Sequence, residues 1–188
     1  MRIVGIDPSL TGTGIAWYAG VDGAGCCSLG ERGITTLPLP ARVAAIDGLI
    51  SRILGTVGHA DLYLIEAQIT FATVRGASGA QLERSALWWL LYRRLIRAGC
   101  GVAVVAPSQL QKYATGKGGG SKTAVVDAVA RRLPVFPTGG DNNMADAAVL
   151  CAMGADWLGQ PIAPMPADHR QVLTKVNWPA SVMVPDLS

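Results

Sequence analysis

Apolar positions along the chain fall into two periods, and these divide it into short strands and longer helices. Residues 2–7 (RIVGID) and 13–18 (TGIAWY) are short apolar runs punctuated by Pro8, Gly12 and Gly14, which predicts two strands joined by a tight turn. A third strand is expected within residues 25–36. Val43, Ile46, Leu49, Ile50, Ile53 and Leu54 recur at helical spacing, so residues 41–57 read as a helix. LYLIE at 62–66 and VAVVA at 102–106 read as buried strands, with a long helix over 79–98 crossing between them. Helices are also expected within 109–115, from Lys122, and over 143–158. The order β-β-β-α-β-α-β-α-α predicts an α/β layered domain with a mixed sheet, because parallel pairs require such crossovers.

Domain organisation follows from a change of character after Gly159: five of the eleven prolines fall in the last 29 residues. A long helix cannot continue through them. Residues 1–158 read as one domain and 159–188 as a Pro-rich extension that is either wrapped on the domain or a partner, or disordered.

Composition narrows the class. With 188 residues and 50% apolar side chains, the chain can bury a core without disulfides or metals. No apolar run is long enough to span a membrane. The arginine and aspartate of MRIVGID interrupt any signal-peptide pattern, so a cytoplasmic location is expected. Cys26, Cys27, Cys100 and Cys151 contain no C-x-x-C and read as reduced core thiols. The net charge of +3 hides an asymmetry: residues 81–132 carry nine Lys or Arg against two acids, between acidic flanks. That pattern suits a phosphate-binding surface beside a cation site.

Three acids stand out. Asp7 ends the first strand immediately before Pro8, and Glu66 ends LYLIE. A carboxylate directly after an apolar strand is costly to bury unless paired or bound to a cation, and strand ends of α/β sheets are where sites form. Asp146 lies on an otherwise apolar helical face of DNNMADAAVLCAMGADWLG, one turn after Asn143. Taken singly, each acid also suits a capping or surface role.

GIDPSLTGTGIAW, LYLIEAQ, PSQLQKYATGKGGGSKTAVVDAVARRL and DNNMADAAVLCA together resemble the RuvC-type Holliday-junction resolvases, nucleases of the ribonuclease-H-like fold. The four motifs cover residues 1–158 in the family's order. The resemblance implies a ribonuclease-H-like mixed sheet flanked by helices, and an endonuclease that resolves four-way or related branched DNA by paired phosphodiester hydrolysis, leaving 5′-phosphate ends. It implies two Mg²⁺ ions per site, with Mn²⁺ as a substitute, held by Asp7, Glu66 and Asp146. Hard cations favour carboxylate oxygens, and a pair of them can clamp both oxygens of an in-line displacement.

The sequence departs from the family at the fourth ligand position, where Asn143 replaces Asp or His and adds no charge. Asn143 is favoured as the auxiliary ligand and Asp141 is the alternative, its simpler role being a helix cap. GKGGGSKT nearly spells a phosphate loop, but Ser121 stands where glycine is needed. The resemblance instead makes it a Gly-rich loop that delivers Lys122 to the scissile phosphate. Lys112 and Lys117 would add backbone contacts to DNA. The family's lysine corresponds to Gln111, which leaves open whether Gln111 or Lys112 faces DNA. Phe71 and Arg75 are candidates for contact with exposed bases, Phe71 lying two residues beyond the family's aromatic slot at Ile69. ALWWLLY is apolar around most of its circumference, and Trp88 and Trp89 project about 100° apart. One can pack on the sheet while the other meets a second subunit, in line with the family's homodimers, unless the tail covers this helix. Two other readings stay open: a non-catalytic junction-binding protein, and an ATP-binding member of the same superfold, for which 188 residues are few.

Overall fold

The structure, a computed structural model, describes residues 1–68, 80–119 and 121–182. Three antiparallel strands open the chain: β1 (Ile3–Asp7), β2 (Thr13–Tyr18) and β3 (Gly25–Leu29). The turn between β1 and β2 is locked by Thr13, whose Oγ1 accepts from the Ser9 amide at 3.0 Å and donates to the Ser9 carbonyl at 2.6 Å. Helix α1 (Leu39–Val57) then crosses to β4 (Leu62–Glu66), and α2 (Gln81–Arg97) crosses to β5 (Gly101–Val105). Both β4 and β5 run parallel to β1, giving the order β3-β2-β1-β4-β5. The mixed sheet and the crossovers agree with the expectation.

Three helices follow β5, matching the three segments expected to be helical though one more than the summary order counts: α3 (Pro107–Thr115), α4 (Lys122–Arg132) and α5 (Asn142–Trp157). Gly116 explains the break between the first two, since its positive φ of 82° caps α3 and turns the chain before α4 can begin.

Two apolar layers sandwich the sheet. Val4, Ile6, Ile15, Tyr63 and Ile65 face α1 and α2, whereas Ile3, Ala16, Leu62 and Leu64 face α3, α4 and α5. Alternation along β1 and β4 produces this division directly. The adjacent Cys26 and Cys27 likewise split between the two layers, and all four cysteines are free thiols. An ion pair between half-buried Arg42 and buried Glu83 ties α1 to α2.

Helix α5 lies against the sheet at backbone distance. A methyl group on Gly5 would come within 2.1 Å of the Ala147 carbonyl oxygen, and one on Gly14 within 1.9 Å of the Asn143 carbonyl oxygen. Only glycine permits that approach. Alanines at 145, 147, 148, 152 and 155 complete a small-residue surface that is buried nearly throughout. The arrangement fixes the start of α5 beside the carboxyl end of β1.

Residues 160–182 fold back as short turns rather than as an extended strap. The one-turn α6 (Ala167–Arg170) and a 3₁₀ turn (Gln171–Lys175) pack on α3. Trp178 stacks on Trp157 with ring centroids 4.7 Å apart. Asp156, fully buried, accepts from the Tyr113 hydroxyl at 3.0 Å and from Arg170 Nε at 3.0 Å, which clamps the tail to α5. The described part of the tail thus packs on α3 and α5 rather than on α2. On that helix Trp89 remains 63% exposed, in line with exposed Leu82 and Ile96 at seven-residue spacing.

Candidate active site

Parallel neighbours end at the same edge of a sheet, so Asp7 and Glu66, each the last residue of its strand, stand side by side there. Asp146 reaches the same edge from the second turn of α5, which the Gly5 and Gly14 contacts hold in place. A cavity of about 430 Å³ is lined by Asp7, Glu66, Asp146, Asn143 and Lys122, together with Ser9, Arg84 and Gln111. Residues more than 130 positions apart in the chain thus converge on one cleft.

The electrostatics are those of crowded, poorly solvated acids. Asp7 is 7% exposed, and burial raises its carboxyl above the usual range although a hydrogen bond with Glu66 and the Lys122 charge oppose the rise. Burial and the Asp7 charge push Glu66 up to about 9. Burial, followed by the Asp7 charge, pushes Asp146 up to about 7. Lys122 acts on all three as a favourable counter-charge. Several buried carboxylates short of positive charge are the donor set that a hard divalent cation fits. Among the described residues they are not drawn into a closed cage of three or more ligands; Asp7 and Glu66 instead share a hydrogen bond.

Asn143 and Asp141 play different parts. The Asn143 amide Nδ2 donates to the Gly12 carbonyl, which anchors the side chain at the cleft and leaves Oδ1 as its remaining donor atom for a ligand. Asp141 caps α5, its Oδ1 accepting from the Met144 amide at 2.8 Å, and it does not line the cleft. It still contributes charge that raises Asp7 and Asp146.

The basic residues separate into three groups. Ser121 caps α4, so Lys122 is the first helical residue and sits in the cleft wall. Of the two candidates left open, Gln111 lines the cleft, whereas Lys112 Nζ donates to the Gly116 carbonyl at 2.6 Å. One residue along a helix rotates the side chain by about 100°, so the two cannot share that wall. Lys117 lines a separate cavity with Thr115, Asp127, Arg131 and Arg132. Phe71 and Arg75 lie outside the described residues.

Residue-by-residue reading of the sequence missed Arg84 and Trp88. Both line a second cavity, of about 310 Å³, that shares Asp7, Pro8, Glu66, Pro107 and Lys122 with the first and adds Ala67, Gln68 and Gln81. Their four-residue spacing on a helix that follows Glu66 is the signal that could have found them.

No family model matches the chain. Among curated proteins, it is 33% identical over 172 residues to the crossover junction endodeoxyribonuclease RuvC of Renibacterium salmoninarum, covering 86% of this chain and 82% of the relative. The Thermobifida fusca RuvC is 32% identical over 164 residues, covering 85% and 86%. Among solved structures, the Thermus thermophilus RuvC structure superposes with a TM-score of 0.55 at 18% identity, covering 88% of this chain and all of that one. T. thermophilus RuvC in complex with a Holliday junction substrate gives 0.56. These two establish the ribonuclease-H-like fold, while the identity and coverage of the curated relatives establish kinship: the chain belongs to the RuvC family of crossover junction endodeoxyribonucleases.

Proposed function

We propose that this protein is a divalent-metal-dependent endonuclease that resolves four-way DNA junctions by paired phosphodiester hydrolysis, leaving 5′-phosphate ends. The observation that carries this reading is the meeting of Asp7, Glu66 and Asp146, from three distant elements, in one cleft with Lys122. The named substrate of the T. thermophilus complex supports it. Asp7, Glu66 and Asp146 would hold the cations, with Asn143 Oδ1 as a neutral auxiliary. When bound there, two Mg²⁺ ions, or Mn²⁺ in their place, would supply water activation and charge neutralisation at the leaving oxygen.

The chain's own residues do the rest. Lys122, at the amino end of α4, offsets charge that builds on the phosphate oxygens in the transition state, where a fixed cation acts most strongly. The excess of basic residues in 81–132 holds the DNA backbone by a sequence-independent, salt-sensitive attraction. The exposed row of Leu82, Trp89 and Ile96 on α2 suits a second copy, and a homodimer would bring two sites to the two strands of a junction.

The test is incubation of the purified protein with a labelled synthetic four-way junction and a matched linear duplex, with and without Mg²⁺. Symmetric nicks in the junction only, requiring Mg²⁺ and lost in Asp7→Asn with binding retained, are expected. Binding without cutting across Mg²⁺ and Mn²⁺ would reject the nuclease assignment.

A further inference from the structure

The cleft continues past the acids into a part whose wall changes chemistry. At the shared rim stand Asp7, Glu66, Arg84 and Lys122, whereas the cavity beyond them is lined by Ala67, Gln68, Gln81 and Trp88. Those four carry no charge. A phosphate would be drawn to the cationic rim; a wall of apolar surface and uncharged amides suits a flat, polar-edged group instead. Among the described residues neither the Gln68 nor the Gln81 amide has a hydrogen-bond partner, and each carries donors and an acceptor of the kind that match a base edge. Trp88 is held rigidly: its indole N–H donates to the Glu66 carbonyl at 2.7 Å, and Tyr92 stacks on it with planes within 16°. The indole is thus tied to the same residue whose carboxylate serves the chemistry.

We infer that this half of the cleft is a nucleobase subsite, in which Gln81 and Gln68 read the edge of the base next to the scissile phosphate while Trp88 forms its wall. The inference rests on the nuclease reading above and extends it to the origin of sequence preference at the cut. An amide can donate to and accept from one base edge together, and such a pair discriminates between bases by roughly 5- to 100-fold. Arg84, at the rim, holds the neighbouring backbone and contributes equally for every base.

The experiment uses a set of four-way junctions in which the nucleotide on each side of the cut is varied through all four bases, with single-turnover rates measured for the wild type, Gln81→Ala, Gln68→Ala and the double variant. Melting temperatures and junction affinity are checked in parallel; both glutamines are only half-buried, so the variants are expected to fold. The wild type is expected to show a spread of at least 10-fold between the best and worst base at one of the two positions. Collapse of that spread to about 3-fold or less in either single variant, with junction affinity retained, is the expected result. A spread that persists in the double variant, rates that fall uniformly for all bases, or a wild type indifferent to the base would overturn the subsite. A wild type that cuts no junction at all rejects the nuclease reading itself, an outcome distinct from these.

Discussion

Replacing Glu66 with glutamine should stabilise the metal-free protein, and by an amount that grows with pH. Burial and the neighbouring Asp7 lift the Glu66 carboxyl from its usual 4.5 to about 9. Between those limits the folded chain keeps a proton that the unfolded chain has released. Each such proton lowers stability by about 1.4 kcal/mol for every unit of pH increase. The Glu66 contribution is fully present below pH 4.5 and is lost as pH climbs towards 9, about 3 kcal/mol being gone by pH 7. Asp146 behaves in the same way up to about pH 7. Glutamine mimics the protonated acid, including its hydrogen-bond donor towards Asp7, and does not titrate. Urea denaturation in the presence of a chelator at pH 5, 6.5 and 8 measures the effect. The wild type should weaken across the series, and Glu66→Gln should weaken less by about one proton's slope, with unchanged m-values. Saturating Mg²⁺ should restore the wild type at pH 8 and do little for the variant, because binding to the folded state adds stability in proportion to affinity. Parallel pH profiles for the two proteins would refute the reasoning.

Three further outcomes follow from the packing and the donor set. Gly14→Ala places a methyl group 1.9 Å from the Asn143 carbonyl oxygen, so α5 must move; a loss of about 1–3 kcal/mol in denaturation and a fall of about 100-fold in cutting rate are expected, and native behaviour in both would contradict the close approach. Asn143→Asp adds charge at the cleft and should lower the Mg²⁺ concentration for half-maximal cutting, whereas an unchanged or higher requirement would show that position 143 does not ligate. Asp156→Asn weakens the hydrogen bonds from Tyr113 and Arg170 and should cost about 2–3 kcal/mol while exposing residues 160–182 to limited proteolysis; an unaltered digestion pattern would show that the clamp does not hold the tail.

Strands and acids were legible in the sequence for the same reason. LYLIE and RIVGID are apolar runs that end in a carboxylate, a pattern that suits a buried strand ending at a sheet edge where the acid can be paired or bind a cation. The helix start at Lys122 and the simpler role of Asp141 as a cap both match the structure, in which Asp141 caps a helix that begins at Asn142, one residue before the expected start. Other features depend on distant partners and leave no local mark. Lys112 is turned to the Gly116 carbonyl by a helical phase that a one-residue ambiguity obscures. The wall formed by Gln68, Gln81 and Trp88 exists only because α2 returns over the end of β4. Proline density signalled the end of the long helix but hid the packing of the tail, whose order comes from Trp178 on Trp157 and from the buried Asp156.

The central claim is that Asp7, Glu66 and Asp146 jointly hold divalent cations. Anomalous diffraction from a crystal of the wild-type protein soaked in Mn²⁺ near pH 8 tests it most directly. Peaks should lie within about 2.0–2.6 Å of carboxylate oxygens of these three residues, the distance range of hard cations to oxygen, and should vanish in Asp7→Asn. Ordered Mn²⁺ elsewhere in the crystal with no peak among these oxygens would contradict it.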